Sequence, residues 1–126
     1  MNAYLGERGG PYTAGYFQFK KFDDIASPSP SKCWVFLDER EDSINDGWFA
    51  VNMESYDPIR ANSYIIVDYP ASYHNGAGGF AFADGHSEIH RWRDARTFPP
   101  IRTGLPLNVP SPNNQDVTWM QQRCSY

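Results

Sequence analysis

The dipeptide Asp84-Gly85 constrains this chain more than any other feature. It lies between Phe80–Ala83 (FAFA) and His86–Trp92 (HSEIHRW), two short runs rich in aromatic and β-branched residues. A two-residue Asp-Gly connection between such runs predicts a tight hairpin, because a type I′ turn needs positive φ at both central positions. The expected register sets Ala83 against His86, Phe82 against Ser87, Ala81 against Glu88 and Phe80 against Ile89. Opposed residues share a face of the ladder. One face is therefore expected to send Phe80, Phe82 and Ile89, with Ser87 near the turn, into the core. The other would carry Ala81, Ala83, His86, Glu88, His90 and Trp92 outward.

Strand signals elsewhere point to the same class. Cys33–Asp38 (CWVFLD) and Trp48–Met53 (WFAVNM) flank the polar loop Glu39–Gly47 (EREDSINDG) and read as a first hairpin. Tyr64–Asp68 (YIIVD) is a further strand candidate, followed by a glycine-rich loop over Pro70–Gly79 (PASYHNGAGG). Residues 1–16 read as an irregular entry, Phe17–Ile25 as a short strand or a helical turn, and Ser27–Ser31 as a proline break. Prolines 99, 100, 106, 110 and 112 exclude a helix over that stretch and predict an extended arm. Asp116–Arg123 (DVTWMQQR) is the best helix, with Asp116 as its expected N-cap and Trp119 and Met120 docking it on the sheet. The expectation is an α+β chain, mostly β: an antiparallel sheet of about four strands built from two hairpins, irregular proline-rich arms and a short C-terminal helix.

The chain's 126 residues fit one domain spanning 1–126. Aromatic residues make up 16%, so a few large rings are expected to carry much of the core. The net charge is −4 with no basic stripe, which argues against nucleic-acid binding. No run approaches the roughly 20 apolar residues that span a bilayer, and no signal-peptide pattern opens the chain. Cys33 and Cys124 follow no zinc pattern; a long-loop disulfide and two free thiols both stay open.

Two clusters carry candidate chemistry. Asp38, Glu39, Asp42 and Asp46, with Ser43 and Asn45, offer the densest supply of the oxygen ligands that Ca²⁺ takes, in an order that is not an EF-hand; Asp84 is a further candidate oxygen ligand. His74, His86 and His90 with Asp84 or Glu88 are the alternative: a metal-activated water in a small hydrolase for an ester or lactone, Zn²⁺ being the ion that imidazole and carboxylate would favour. A third possibility is a carbohydrate- or peptide-binding module using Trp34, Trp48, Trp92 and Tyr73. No P-loop, GxGxxG, GxSxG or HExxH is present.

His74 precedes Asp84-Gly85 by nine intervening residues, within PASYHNGAGGFAFADGHSEIHRW. Together with SPSKCWVFLDEREDSINDGWFAVNM and LPLNVPSPNNQDVTWMQQR, this resembles the C-terminal globular domain of prepilin-like proteins that carry an H-X9-DG motif, of planctomycete and verrucomicrobial type. The resemblance covers nearly the whole chain. It implies a head domain like that of type II secretion pseudopilins, working in assembly with other pseudopilin-like subunits or secretion components. Such proteins begin with a cleavable leader and a long apolar helix and are anchored in the inner membrane, with the head periplasmic or extracellular. Met1 falls where the family has an internal methionine, so the chain is expected to be the head without that helix, and soluble. Major pseudopilins hold Ca²⁺ in a loop of the C-terminal sheet. The resemblance thus implies a calcium site, without identifying its ligands.

Overall fold

The computed structural model describes residues 1–6 and 12–126. Among these, β1 (Trp34–Leu37), β3 (Ala77–Phe82) and β4 (Ser87–Arg91) form an antiparallel sheet in the order β1-β3-β4. β2 (Ile65–Ile66) pairs separately with β5 (Val109–Pro110), and α1 (Gln115–Cys124) closes the chain. The class is α+β, mostly strand, with a short C-terminal helix. No helix among the described residues is long and apolar enough to cross a membrane.

The chain reverses at residues 83–85, but with a three-residue loop. Gly85 alone has positive φ (+93°). Its N–H donates to the Phe82 carbonyl at 3.0 Å, and the Phe82 N–H donates to the His86 carbonyl at 2.9 Å. A turn that ends in a left-handed glycine spares Asp84 the steric cost of positive φ. The pairing then becomes Ala81↔Ser87, Phe80↔Glu88, Gly79↔Ile89 and Gly78↔His90. This is one residue off the expected register, and a one-residue slip exchanges the faces of a strand. Phe80 and Phe82 are buried as expected, but Ile89 points away from them and is 68% exposed. His86, Glu88 and His90 lie on the side of the phenylalanines.

The glycine-rich segment also differs from expectation. Ala77, Gly78 and Gly79 belong to β3. A Cβ on Gly78 would come within 2.7 Å of the Ala71 carbonyl oxygen and 3.3 Å of the Trp92 ring. The glycine therefore admits a close backbone approach inside a strand. The Trp92 indole N–H donates to that same carbonyl at 2.8 Å.

The expected first hairpin does not form. β1 pairs with β3, through Trp34↔Phe82, Phe36↔Ala81 and Leu37↔Phe80, with an irregularity at Val35. Residues 48–53 form no strand, although Phe49, Ala50, Val51 and Met53 are buried. β1 takes β3 as its ladder partner while the second run still packs on it, for the Trp34 ring meets Phe80 of β3 and Phe49 edge-on at 6.1 and 5.9 Å. The irregularity keeps Trp34 and Leu37 on the core face and turns Phe36 out.

Helix α1 covers the core face of the sheet. Its N-cap is Asn114, whose side-chain oxygen accepts the Asp116 N–H at 2.8 Å, and not Asp116. Asp116 instead clamps the segment after β4: its carboxylate accepts the N–H groups of Arg93 and Asp94 and the Thr97 hydroxyl. Trp119 stacks on His90 at 3.7 Å and meets Phe80 edge-on at 5.0 Å. Cys33 and Cys124 are buried free thiols. Within 17–25 the only helical element is a 3₁₀ turn at Phe22–Asp24. Of the expected irregular entry, residues 7–11 lie outside the described residues.

Candidate functional site

The acidic loop splits into two parts with different roles. Arg40 is only 1% exposed, and it binds Asp42 bidentately, Nε to Oδ1 at 2.5 Å and Nη2 to Oδ2 at 2.8 Å. The Arg102 N–H adds a third bond to Asp42, and Arg40 Nη1 reaches the Pro99 carbonyl. The Arg40 hydrogen bonds hold the Asp42 carboxyl below its ordinary pKa. Asp42 therefore neutralises a buried guanidinium and pins the 99–102 segment to the loop.

Asp38, Glu39 and Asp46 line a shallow hollow with Leu37, Ile44, Gly47 and Tyr73. Glu39 accepts the Ser43 hydroxyl at 3.0 Å, and Ser43 in turn accepts the Tyr69 N–H. Burial first, and then the nearby carboxylates of Asp68 and Asp46, push the Glu39 carboxyl up to about 7 against the Ser43 bond and the terminal amine. Asp46 accepts the Trp48 N–H at 2.7 Å, and the Asp38 carboxylate lies against Gly79. Asp84 sits at the hairpin turn, away from this loop. Among the described residues no three of His, Cys, Asp and Glu are arranged to hold a metal ion.

The histidines do not gather either. His74 lies in the turn that leads into β3, where its N–H donates to the Ala77 carbonyl at 3.2 Å. Asp84 and His86 lie beyond the other end of that six-residue strand, a span of about 17 Å. The two halves of the H-X9-DG pattern thus mark the two ends of one strand. They do not meet over a common atom. His86 lies between two carboxylates, Nδ1 on Asp84 at 2.5 Å and Nε2 on Glu88 at 3.1 Å, and stacks on Phe82. These two bonds, Asp84 first, raise the His86 pKa. His90 lies beneath Trp119, where burial lowers its pKa. Trp34 and Trp92, offered above as a sugar platform, are buried in the core.

The feature missed by sequence reasoning is the outer face of the sheet. There Phe36 is 55% and Ile89 68% exposed, with Ala81 and Gly79 between them and Ser87 and Arg91 at the margin. Phe36, Ala81 and Ile89 line a shallow depression. Phe22, Ile44, Ile59 and Ile101 are as exposed, but Phe36 and Ile89 differ in sharing one flat sheet face with only small side chains between them. The signal was hidden by the register slip and by the irregularity at Val35. Comparison of the chain with protein-family models, with curated proteins and with solved structures finds no match.

Proposed function

We propose that this chain is the globular head of a pseudopilin-like assembly subunit, with protein–protein contact rather than catalysis as its work. The observation that carries the reading is the uncovered sheet face bearing Phe36 and Ile89. The opposite face is filled by α1 and the aromatic core, so of the two faces the outer one is, among the described residues, the one left open to a partner. The H-X9-DG pattern supports the same reading by its position, since His74 and Asp84-Gly85 bracket β3, the central strand beneath that face. Calcium belongs to the proposal at the hollow of Asp38, Glu39 and Asp46, whose carboxylates share one lining but would have to draw together around the ion. A cation there would offset the burial, and the lesser repulsion from Asp68 and Asp46, that together raise the pKa of the Glu39 carboxyl.

The test is a photo-crosslinking residue placed at position 36 in the chain as expressed in its native cell. The expected products are cross-links to pilin-like subunits or secretion components, identified by mass spectrometry and absent when the same residue replaces exposed Ile59. Equal labelling from both positions, or none from position 36, overturns the proposal.

A further inference from the structure

The two edges of the three-stranded sheet are treated differently. Along β1, the Asn2 N–H and side-chain amide donate to the carbonyls of Val35 and Trp34, both at 2.9 Å, and the Ala71 N–H takes the Asp38 carbonyl at 2.7 Å. That edge is closed. Along β4, His86 and Trp92 turn their backbone groups toward β3, through Phe82 N–H to His86 O and Trp92 N–H to Gly76 O. By strand alternation Glu88 and His90 do the same, so Ser87, Ile89 and Arg91 direct theirs outward. Among the described residues no group outside the hairpin bonds to these three. Four of the five β4 residues are exposed, and its pairing with β3 runs without a register shift. β4 also contains no proline, one of the devices that keep an edge from pairing.

We infer that this edge pairs with the same edge of a second copy of the chain, antiparallel about a two-fold axis through Ile89. In that register Ile89 faces Ile89 of the second copy, and Ser87 faces Arg91. Each of these residues has its backbone groups directed outward, so every pair exchanges hydrogen bonds. The short serine opposes the long arginine, leaving room for its stem. On the core side Glu88 of each copy comes opposite His90 of the other. His90 carries Trp119, and the Arg123 guanidinium sits 4.4 Å from the Trp119 ring. The incoming carboxylate therefore arrives beside an arginine, twice by symmetry. The product is a six-stranded sheet whose outer face runs continuously through Phe36, Ala81 and Ile89 of both copies. Two short strands bury less than the roughly 1,200–2,000 Å² of a standard interface, so the dimer is weak and transient. The inference does not rest on the pseudopilin reading, because a two-fold dimer needs no filament.

Sedimentation equilibrium of the whole chain from about 5 µM to 1 mM tests it. The average mass is expected to rise from 14.4 kDa toward twice that value. Ser87→Glu places a carboxylate against Arg91 of the second copy and is expected to tighten the dimer about fivefold; Ser87→Arg sets like charges opposed and is expected to loosen it by a similar factor. Both positions are exposed, so the monomer's melting temperature serves as the folding control. Ile89→Cys, under oxidised glutathione, is expected to form an interchain disulfide at the two-fold, where paired Cα atoms lie about 5.5 Å apart. Monomers up to 1 mM for both wild type and Ser87→Glu overturn the inference. So does a dimer that Ser87→Glu and Ser87→Arg shift in the same direction or leave unchanged.

Discussion

At the scale of single residues, Glu39 carries a carboxyl that burial takes well away from its ordinary behaviour in water. Its carboxyl is pushed from 4.5 to about 7, first by burial and then by Asp68 and Asp46. The folded state therefore holds a proton that the unfolded chain releases between about pH 4.5 and 7. Glu39's contribution to stability is complete below 4.5 and is lost as the pH rises through 7. Replacing Glu39 by Gln removes that dependence. The melting-temperature gap between Glu39→Gln and wild type is expected to open across this window and stay constant above it. Its plateau is worth about 1 kcal/mol, discounted because the side chain keeps contact with solvent. Wild type at pH 8 with Ca²⁺ is expected to gain several degrees, reversed by EDTA, while Glu39→Gln gains less. No response of wild type to either addition would remove calcium from the proposed function. Composition alone showed the loop to be acidic. It did not show that Arg40 is buried and takes Asp42 for itself, because that depends on Pro99 and Arg102 arriving from 60 residues away.

At the scale of elements, β3 is the strand on which both β1 and β4 pair, and its glycines are as specific as its phenylalanines. Gly78→Ala would drive a methyl group into the Ala71 carbonyl, which cannot retreat without giving up its bond to Trp92. A loss of about 1–3 kcal/mol is expected in denaturant melts. Gly47→Ala is the matched control, since an added Cβ there meets nothing within 4 Å, and it is expected to change stability by less than about 0.5 kcal/mol. Element identity was legible where one local rule decides: the reversal at Gly85, the C-terminal helix and the CWVFLD strand all stand. What failed was pairing. CWVFLD and WFAVNM satisfy every local rule for a hairpin, yet β1 takes its ladder hydrogen bonds from β3 and leaves Phe49 to pack on Trp34 by its side chain alone. Strand propensity cannot weigh partners that are distant in sequence.

For the molecule as a whole, the two cysteines report on global rather than local opening. Cys33 and Cys124 are free and fully buried, and burial raises the Cys33 thiol to about 11. A thiol reagent at pH 8 is expected to label neither in native protein and both once the chain unfolds, with reductant leaving the melting temperature unchanged. Fast labelling of either thiol in native conditions would contradict the packing of α1 on the core. By itself the sequence determined an α+β chain rich in short strands, a sharp reversal near residue 85 and a closing helix, because these follow from backbone sterics and local pattern. Only the tertiary structure decided the register of β3 on β4, the partner of β1, and hence which side chains face solvent. A single extra residue in a turn exchanges the two faces of a strand, and whether it is inserted depends on the packing of Phe80 and Phe82 against Trp34 and the helix, not on the turn residues alone.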